Sequence, residues 1–378
     1  DTISVVSHVF STGSLQQLKD NLLGSFRFLI SLIAVVLIYY FRPRLYRLIE
    51  NQGRNVSKYK RDTILATLKA IGFSLVNIIT IPFLLAVVSL EMLTANQTSL
   101  AYSAFWHSIL ITCNILFFAR LVTEQTRPRG IAEIHFQRTA SILTVVRRPA
   151  FKVSLFCVVI LYFFAEYLRS NSDSMKNSFI LLTYSAILFI TSFLMFRVVQ
   201  AKDKVANKIL VYSKYLLPSI PIVLVIYTGF GYINGSITLL QKIIHTACFA
   251  YVILLLHQLV FRWLRINHRR LAFAAALERR KELQAKARDG NTHETKSASE
   301  FHDIEEVPEV DLAAINEDSK QILNISVIAL AVWGVATIWS DILPAFNVLE
   351  GITLWENFSS TGGKDVITPI SLADLIYS

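Results

Sequence analysis

The stretch ILNISVIALAVWGVATIWSDIL, residues 322–343, decides the fold class of this chain. It is apolar over about 20 residues, the length that an α-helix needs to cross the hydrocarbon core of a bilayer. A polar segment follows it, and the last residues, ISLADLIYS, are apolar again. We therefore interpret 321–343 as a transmembrane helix, 344–369 as a periplasmic connector and 370–378 as the start of a further transmembrane helix.

The composition is typical of a polytopic membrane protein. Hydrophobic residues make up 53% of the chain and charged residues only 17%, with a mean hydropathy of +0.49, which is unusual for a soluble domain. Seven further apolar runs precede residue 321, at about 22–41, 63–90, 101–122, 151–168, 179–199, 215–233 and 243–263. The sequence thus predicts an all-α, polytopic helical membrane protein with about eight transmembrane helices.

The distribution of basic residues predicts the orientation of these helices. The connectors 42–62, 120–152, 197–214 and 262–320 hold 30 of the 37 lysines and arginines. Every second connector is therefore basic, and the positive-inside rule places these four in the cytoplasm. Both ends of the chain are then periplasmic, and residues 1–21 are the end of a periplasmic region.

The longest basic connector divides into two parts. Residues 264–289 are rich in Ala, Leu, Glu, Lys and Arg, which favours a helix that continues the seventh span out of the membrane. Residues 290–310 are acidic and poor in apolar side chains, which indicates a flexible linker. Asp311 is a candidate N-cap for a helix that runs into the eighth span.

Sequence motifs of enzymes are absent. The chain has no P-loop, HExxH, GxSxG or CxxC pattern, so we expect no catalytic activity, cofactor or metal. Cys113, Cys157 and Cys248 lie in apolar runs and are interpreted as packing residues. The basic loops need no nucleic acid as partner, because a topogenic and lipid-facing role explains them.

Polar residues within the spans are candidates for function. Lys69 can extend its side chain to the interface, Asn77 and Asn114 can hydrogen-bond between helices, and Glu166 can pair with Arg169. Kinks are predicted at Pro82, Pro218 and Pro221. The ionisable residues lie mainly near the ends of the spans, which argues against a secondary transporter. That alternative stays open, and so does a helical scaffold without a sensing role.

Four segments carry a resemblance to a known family. They are WSDILPAFNVLEGITLWE at 339–356, ITPISLADLI at 367–376, RGIAEIHF at 129–136 and DLAAINEDSKQIL at 311–323. These segments resemble the region that precedes the pore in the large bacterial MscS-family mechanosensitive channels, the potassium-dependent (MscK-type) and miniconductance (MscM-type) paralogues. We expect the pore helix of that family after residue 378.

The resemblance implies an inner-membrane region, with residues 22–263 as a seven-helix sensor, in a homoheptameric channel. Such a channel opens on hypo-osmotic shock and releases ions and small solutes. The implied partners are membrane lipids and further copies of the chain. The candidate lipid-contacting and tension-sensing residues are Arg42, Arg44, Arg47, Arg147, Arg148, Arg269, Arg270, Arg279 and Arg280. The candidate coupling connector contains Trp339, Pro344 and Trp355.

Overall fold

The fold is a set of long helices followed by one small sheet. The computed structural model describes residues 24–54, 56, 62–95, 100–138, 140–171, 178–200, 208–289, 317–341, 353–361 and 364–371. The helices are α1 (Phe26–Gly53), α2 (Ile64–Ala95), α3 (Leu100–Gln125), α4 (Ile131–Ile134), α5 (Ala140–Val146), α6 (Pro149–Ser170), α7 (Ser178–Gln200), α8 (Lys208–Gly229), α9 (Ile233–Asp289) and α10 (Glu317–Trp339). The strands are β1 (Thr353–Thr361) and β2 (Lys364–Ser371).

Seven of these helices, namely α1, α2, α3, α6, α7, α9 and α10, are long and apolar enough to cross a membrane. The sixth predicted span corresponds to α8, whose apolar part, Leu216–Gly229, is shorter. The prediction of a polytopic helical membrane protein is therefore confirmed. The helix ends have local causes: the Ser25 hydroxyl accepts a hydrogen bond from the Phe28 amide at 3.3 Å, and Pro149 occupies the first turn of α6, where its missing N–H costs nothing.

Consecutive helices pack side by side, and α9 closes the array. α1 lies on α2, α2 on α3, α3 on α6, α6 on α7, and α7 on α8, while α9 contacts α8, α6 and α2 and carries α10 on its surface. The main core lies between α3, α6, α7, α8 and α9. Tyr184, Leu168, Leu188 and Ile237 are among its most deeply buried side chains.

The two outermost helices, α1 and α10, have little protein around them. In α1 only Ser31 and Ile49 are buried, and the large apolar side chains of α10 stand exposed, among them Trp333. In a membrane protein, exposed apolar surface of this kind is suited to contact with lipid.

Two predicted boundaries are wrong. The turn before the seventh span was expected after residue 233, but α8 ends at Gly229 and α9 begins at Ile233. Gly231 makes this turn possible because its φ of +90° suits a residue without a Cβ.

Near the other end of the chain, β1 and β2 form an antiparallel pair that extends to Ser371. A helix therefore does not begin at Ile370, and residues 372–378 lie outside the described residues.

The predicted continuation of the seventh span is present, because α9 is one helix from Ile233 to Asp289. The acidic linker at 290–310, the candidate N-cap Asp311 and Pro344 of the connector lie outside the described residues.

Candidate functional site

A cluster of polar side chains joins α1, α2 and α3 around the phenol of Tyr46. The Tyr46 hydroxyl accepts hydrogen bonds from Arg42 Nε at 2.7 Å and from Asn77 Nδ2 at 3.0 Å, and it lies 3.2 Å from Glu124 Oε1. Arg42 also pairs with Glu124 at 3.0 Å. We call Arg42, Tyr46, Asn77, Glu124 and Arg127 the Tyr46 cluster. Because its members come from three helices, it fixes the end of α1 to the array.

Arg127 completes the cluster from above the ring of Tyr46. The guanidinium carbon lies 3.3 Å from the ring centroid, a distance at which the cation and the π-system attract each other. On the far side of the cluster, Arg120 Nη2 donates to the carbonyl of Asn77 at 3.3 Å. Asn77 therefore bonds to both of the helices that flank α2.

The segment after α3 is a tightly folded loop that contains the RGIAEIHF stretch. Arg129 and Gln137 bracket this stretch and adopt φ values of 56° and 50°, which side chains with a Cβ rarely do. Between them, a Cβ on Gly130 would lie 2.7 Å from the Arg127 carbonyl oxygen and 2.8 Å from that of Gln125. The loop geometry therefore requires glycine at position 130.

Arg147, which directly follows α5, holds this loop. It donates to the carbonyls of Thr126 and Arg127 at 2.7 and 3.0 Å and forms an ion pair with Glu133. The hydrogen bond from Arg147 lowers the pKa of the Glu133 carboxyl. Arg147 thus has protein partners in this loop, and its expected contact with lipid headgroups stays a prediction.

The long helix α9 is joined to this loop and to the start of α2 by a buried ion pair. Arg262 Nη2 lies 2.8 Å from Asp62 Oδ1, and both side chains are less than a tenth exposed. Arg262 also donates to the carbonyl of His135. Two weaker contacts flank the pair, from Arg265 Nη1 to Gln137 Oε1 at 3.0 Å and from Arg270 Nη2 to the Asp62 carbonyl at 3.2 Å. We call this set of contacts the α9 junction.

His135 is enclosed within the α9 junction. It is 1% exposed, and its Nδ1 lies 3.3 Å from the hydroxyl of Thr67. Burial, together with the charge of Arg262, lowers the pKa of His135 to about 4. The imidazole is therefore neutral near pH 7, as its position beside an arginine requires.

An ion pair between a buried carboxylate and an exposed arginine lies near the C-terminal end of α6. Glu166 is 2% exposed and accepts from Arg169 at 2.8 Å and from Gln241 of α9 at 3.0 Å. One turn earlier, the Tyr162 hydroxyl lies 2.9 Å from Nε2 of His245. Both oxygens of Glu166 are thus occupied, and α6 is tied to α9 at this end as well.

The last helix, α10, is held against α9 by polar and close apolar contacts. Trp339 Nε1 donates to Thr246 Oγ1 at 3.0 Å, and Lys242 Nζ to Asp341 Oδ2 at 2.7 Å. The hydrogen bond from Lys242 lowers the pKa of the Asp341 carboxyl. A Cβ on Gly334 would clash with the ring of Phe249, so the two helices approach closely there.

The remaining predicted site residues differ in exposure and in contacts. Arg44, Arg47, Arg270, Arg280 and Lys69 are exposed, while Arg148 and Arg269 are half-buried. Asn114 is exposed on α3 and makes no hydrogen bond within the described residues, so the interhelical bond expected for it is absent. Pro82, Pro218 and Pro221 lie inside continuous helices. Trp355 lies in β1 opposite Ile370, and the side chains of Trp355 and Arg279 are not among those described.

The sequence did not reveal Tyr46, Asp62, Gln137 or Arg262 as partners. Tyr46 and Glu124 are 78 positions apart and Asp62 and Arg262 are 200 apart, whereas hydropathy and periodicity report on neighbours in the chain. The one available signal was the RGIAEIHF stretch, which contains Gly130, Glu133 and His135. Within the described residues no three His, Cys, Asp or Glu side chains converge on a possible metal site.

Comparison with known proteins connects this architecture to one family. Residues 25–355 match the family described as "Mechanosensitive ion channel inner membrane domain 1". The chain is 24% identical over 363 residues to the miniconductance mechanosensitive channel MscM of Escherichia coli, which covers 92% of the chain and 32% of that protein. It is 26% identical over 334 residues to the mechanosensitive channel MscK of E. coli, covering 85% and 28%. An uncharacterised MscS family protein of Haemophilus influenzae is 23% identical over 287 residues, covering 72% and 25%. The chain thus spans about a third or less of the length of these relatives.

Proposed function

This chain belongs to the family of mechanosensitive ion channel inner membrane domains and is a multi-pass region of the inner membrane. We propose that it is the tension-sensing part of such a channel. The channel opens on hypo-osmotic shock and releases ions and small solutes. The observation that carries this proposal is the family match over residues 25–355. We also propose, from the family resemblance, that the protein is a homoheptamer. From the basic connectors, we propose that both ends of this region are periplasmic.

The structure supports a route by which force on the outer helices reaches the rest of the protein. The exposed apolar faces of α1 and α10 are the surfaces that lipid can displace. The Tyr46 cluster ties α1 to α2 and α3, the α9 junction ties α2 to α9, and Trp339 ties α9 to α10. These contacts form a physically continuous chain through which displacement of one helix can reach the next.

The end of α10 leads into the segment that we propose as the coupling connector. Trp339 closes the helix, and the hairpin of β1 and β2 begins 14 positions later at Thr353. We propose that Trp339, Pro344 and Trp355 transmit displacement to a pore that follows this region. The exposed Arg44, Arg47, Arg270 and Arg280 are proposed to contact lipid headgroups, where each basic side chain contributes about 1 kcal/mol.

Osmotic downshock of living cells tests the proposed function. The full-length protein that contains this chain is expressed in bacteria that lack their own mechanosensitive channels. We expect it to raise survival and the rate of solute release after the shock, relative to an empty vector. A protein that reaches the membrane at normal levels and changes neither survival nor release would contradict the proposal.

A further inference from the structure

An open crevice lies between α1 and α3, and residues of the Tyr46 cluster form part of its wall. It has two adjoining parts of about 540 and 610 Å³, which share Pro43, Tyr46, Glu124 and Arg127 in their walls. The first part runs toward the loop at Gly130, and the second runs along α1 to Tyr39 and across to the start of α6.

The crevice walls hold more positive than negative charge. The cations are Arg42, Arg47, Arg127, Arg129 and Lys152, and the carboxylates are Glu50 and Glu124. Each carboxylate already has a partner, since Glu124 pairs with Arg42 at 3.0 Å and Glu50 pairs with Arg129 at 3.2 Å. Within the part of the chain that the structure describes, Arg47, Arg127 and Lys152 are left without a carboxylate. The ligand that complements three such cations is an anion.

Arg127 is held in position before any ligand binds. Its guanidinium lies against the ring of Tyr46, and Tyr46 is itself fixed by hydrogen bonds from Arg42 and Asn77. A guanidinium held in this way keeps its forked N–H donors available for the oxygens of a phosphate. Because the side chain is already ordered, binding costs little conformational entropy.

The position of the crevice along α1 indicates a lipid as the source of the phosphate. The rim at Tyr39 lies where the apolar half of α1 gives way to its basic half, and Tyr39, Tyr40 and Phe41 are all exposed there. Exposed aromatic side chains at such a boundary are typical of the membrane–water interface. Val36 and Leu37, one turn before, are also exposed and offer an apolar surface to acyl chains.

We propose that this crevice binds the phosphate headgroup of an anionic phospholipid, held by Arg47, Arg127 and Lys152, with its acyl chains along the exposed apolar face of α1. The proposal concerns binding and goes beyond the proposed function. A lipid could occupy the crevice whether or not the protein responds to tension.

Native mass spectrometry of the purified full-length protein tests the proposal. The protein is reconstituted in nanodiscs of phosphatidylcholine with a minor fraction of phosphatidylglycerol, then released, and the phosphatidylglycerol retained per chain is counted. The test variant is Arg47→Gln/Arg127→Gln/Lys152→Gln. The matched control is Arg54→Gln/Arg197→Gln/Lys281→Gln, which removes three exposed charges outside the crevice at positions not proposed above to contact lipid. Each lost cation is expected to weaken binding about fivefold, so the test variant should retain at least about tenfold less phosphatidylglycerol while the control matches the unaltered protein.

Equal retention by the test and control variants would overturn the proposal. Displacement of phosphatidylglycerol by inorganic phosphate at low concentration would overturn the assignment to a lipid and make the crevice a site for a free anion. The single variant Lys152→Gln guards against misfolding, because this lysine is exposed. It should retain about fivefold less phosphatidylglycerol, and an unchanged count for this variant would also contradict the site.

Discussion

At the scale of the residue, the buried pair of Asp62 and Arg262 joins α9 to the start of α2. Asp62→Asn leaves the Arg262 guanidinium buried without its counter-ion, which costs about 3–5 kcal/mol of stability. We expect a large fall in the thermal unfolding midpoint of the purified protein. The matched control is Glu50→Gln, which breaks the exposed pair with Arg129 and should cost at most about 1 kcal/mol. Equal midpoints for the two variants would show that the α9 junction contributes little.

His135 predicts how the stability of the same junction depends on pH. Its pKa is lowered to about 4 in the folded protein from about 6.5 in the unfolded chain. Between these values the unfolded chain binds more protons, so the stability from this group is complete above pH 6.5 and is lost as pH falls toward 4. At about pH 5 the loss amounts to roughly 2 kcal/mol.

His135→Gln removes the titrating group, so this variant should lose less stability than the unaltered protein between about pH 7.5 and pH 5. Thermal unfolding at the two pH values measures the difference, with the exposed His107→Gln as control. A pH response of His135→Gln identical to that of His107→Gln would contradict the burial of a neutral imidazole.

At the scale of the element, the attachment of α10 to α9 decides how force leaves the array. Trp339→Phe keeps an aromatic ring but removes the N–H that bonds to Thr246. With a looser attachment, α10 shifts relative to α9 before it transmits displacement to the connector. We therefore expect a higher tension threshold with unchanged single-channel conductance in patch recordings of the full-length protein. Trp333→Phe on the exposed face of α10 is the control. A conductance change at an unchanged threshold would place Trp339 in the permeation path instead.

The helices could be predicted from the sequence to a greater extent than their contacts. Apolar runs of membrane-crossing length located the seven long spans, because backbone hydrogen bonding in lipid leaves helices as the available solution. The turn at Gly231 was placed too late because Asn234 and Gly235 look like turn residues, yet they lie inside α9. The hairpin of β1 and β2 was not predicted because a run as short as KDVITPIS, which forms β2, carries no decisive periodicity. The Tyr46 cluster and the α9 junction escaped because their members are distant in sequence.

At the scale of the whole molecule, the basic connectors predict which surface faces the cytoplasm. Asn234→Cys near the turn before α9 should react with an impermeant maleimide in intact cells, whereas Lys281→Cys on the extension of α9 should react only after permeabilisation. Both positions are exposed, and the background lacks Cys113, Cys157 and Cys248. Labelling of Lys281→Cys in intact cells would reverse the proposed orientation.

The central claim, that this region makes a channel responsive to membrane tension, is tested most directly by pressure ramps on excised patches that contain the full-length protein. We predict currents that appear above a reproducible membrane tension and do so without added ligand or voltage change. The threshold should rise for Trp339→Phe and stay unchanged for Trp333→Phe. A protein that is present in the patch and conducts no current up to the tension that ruptures the membrane would contradict the account.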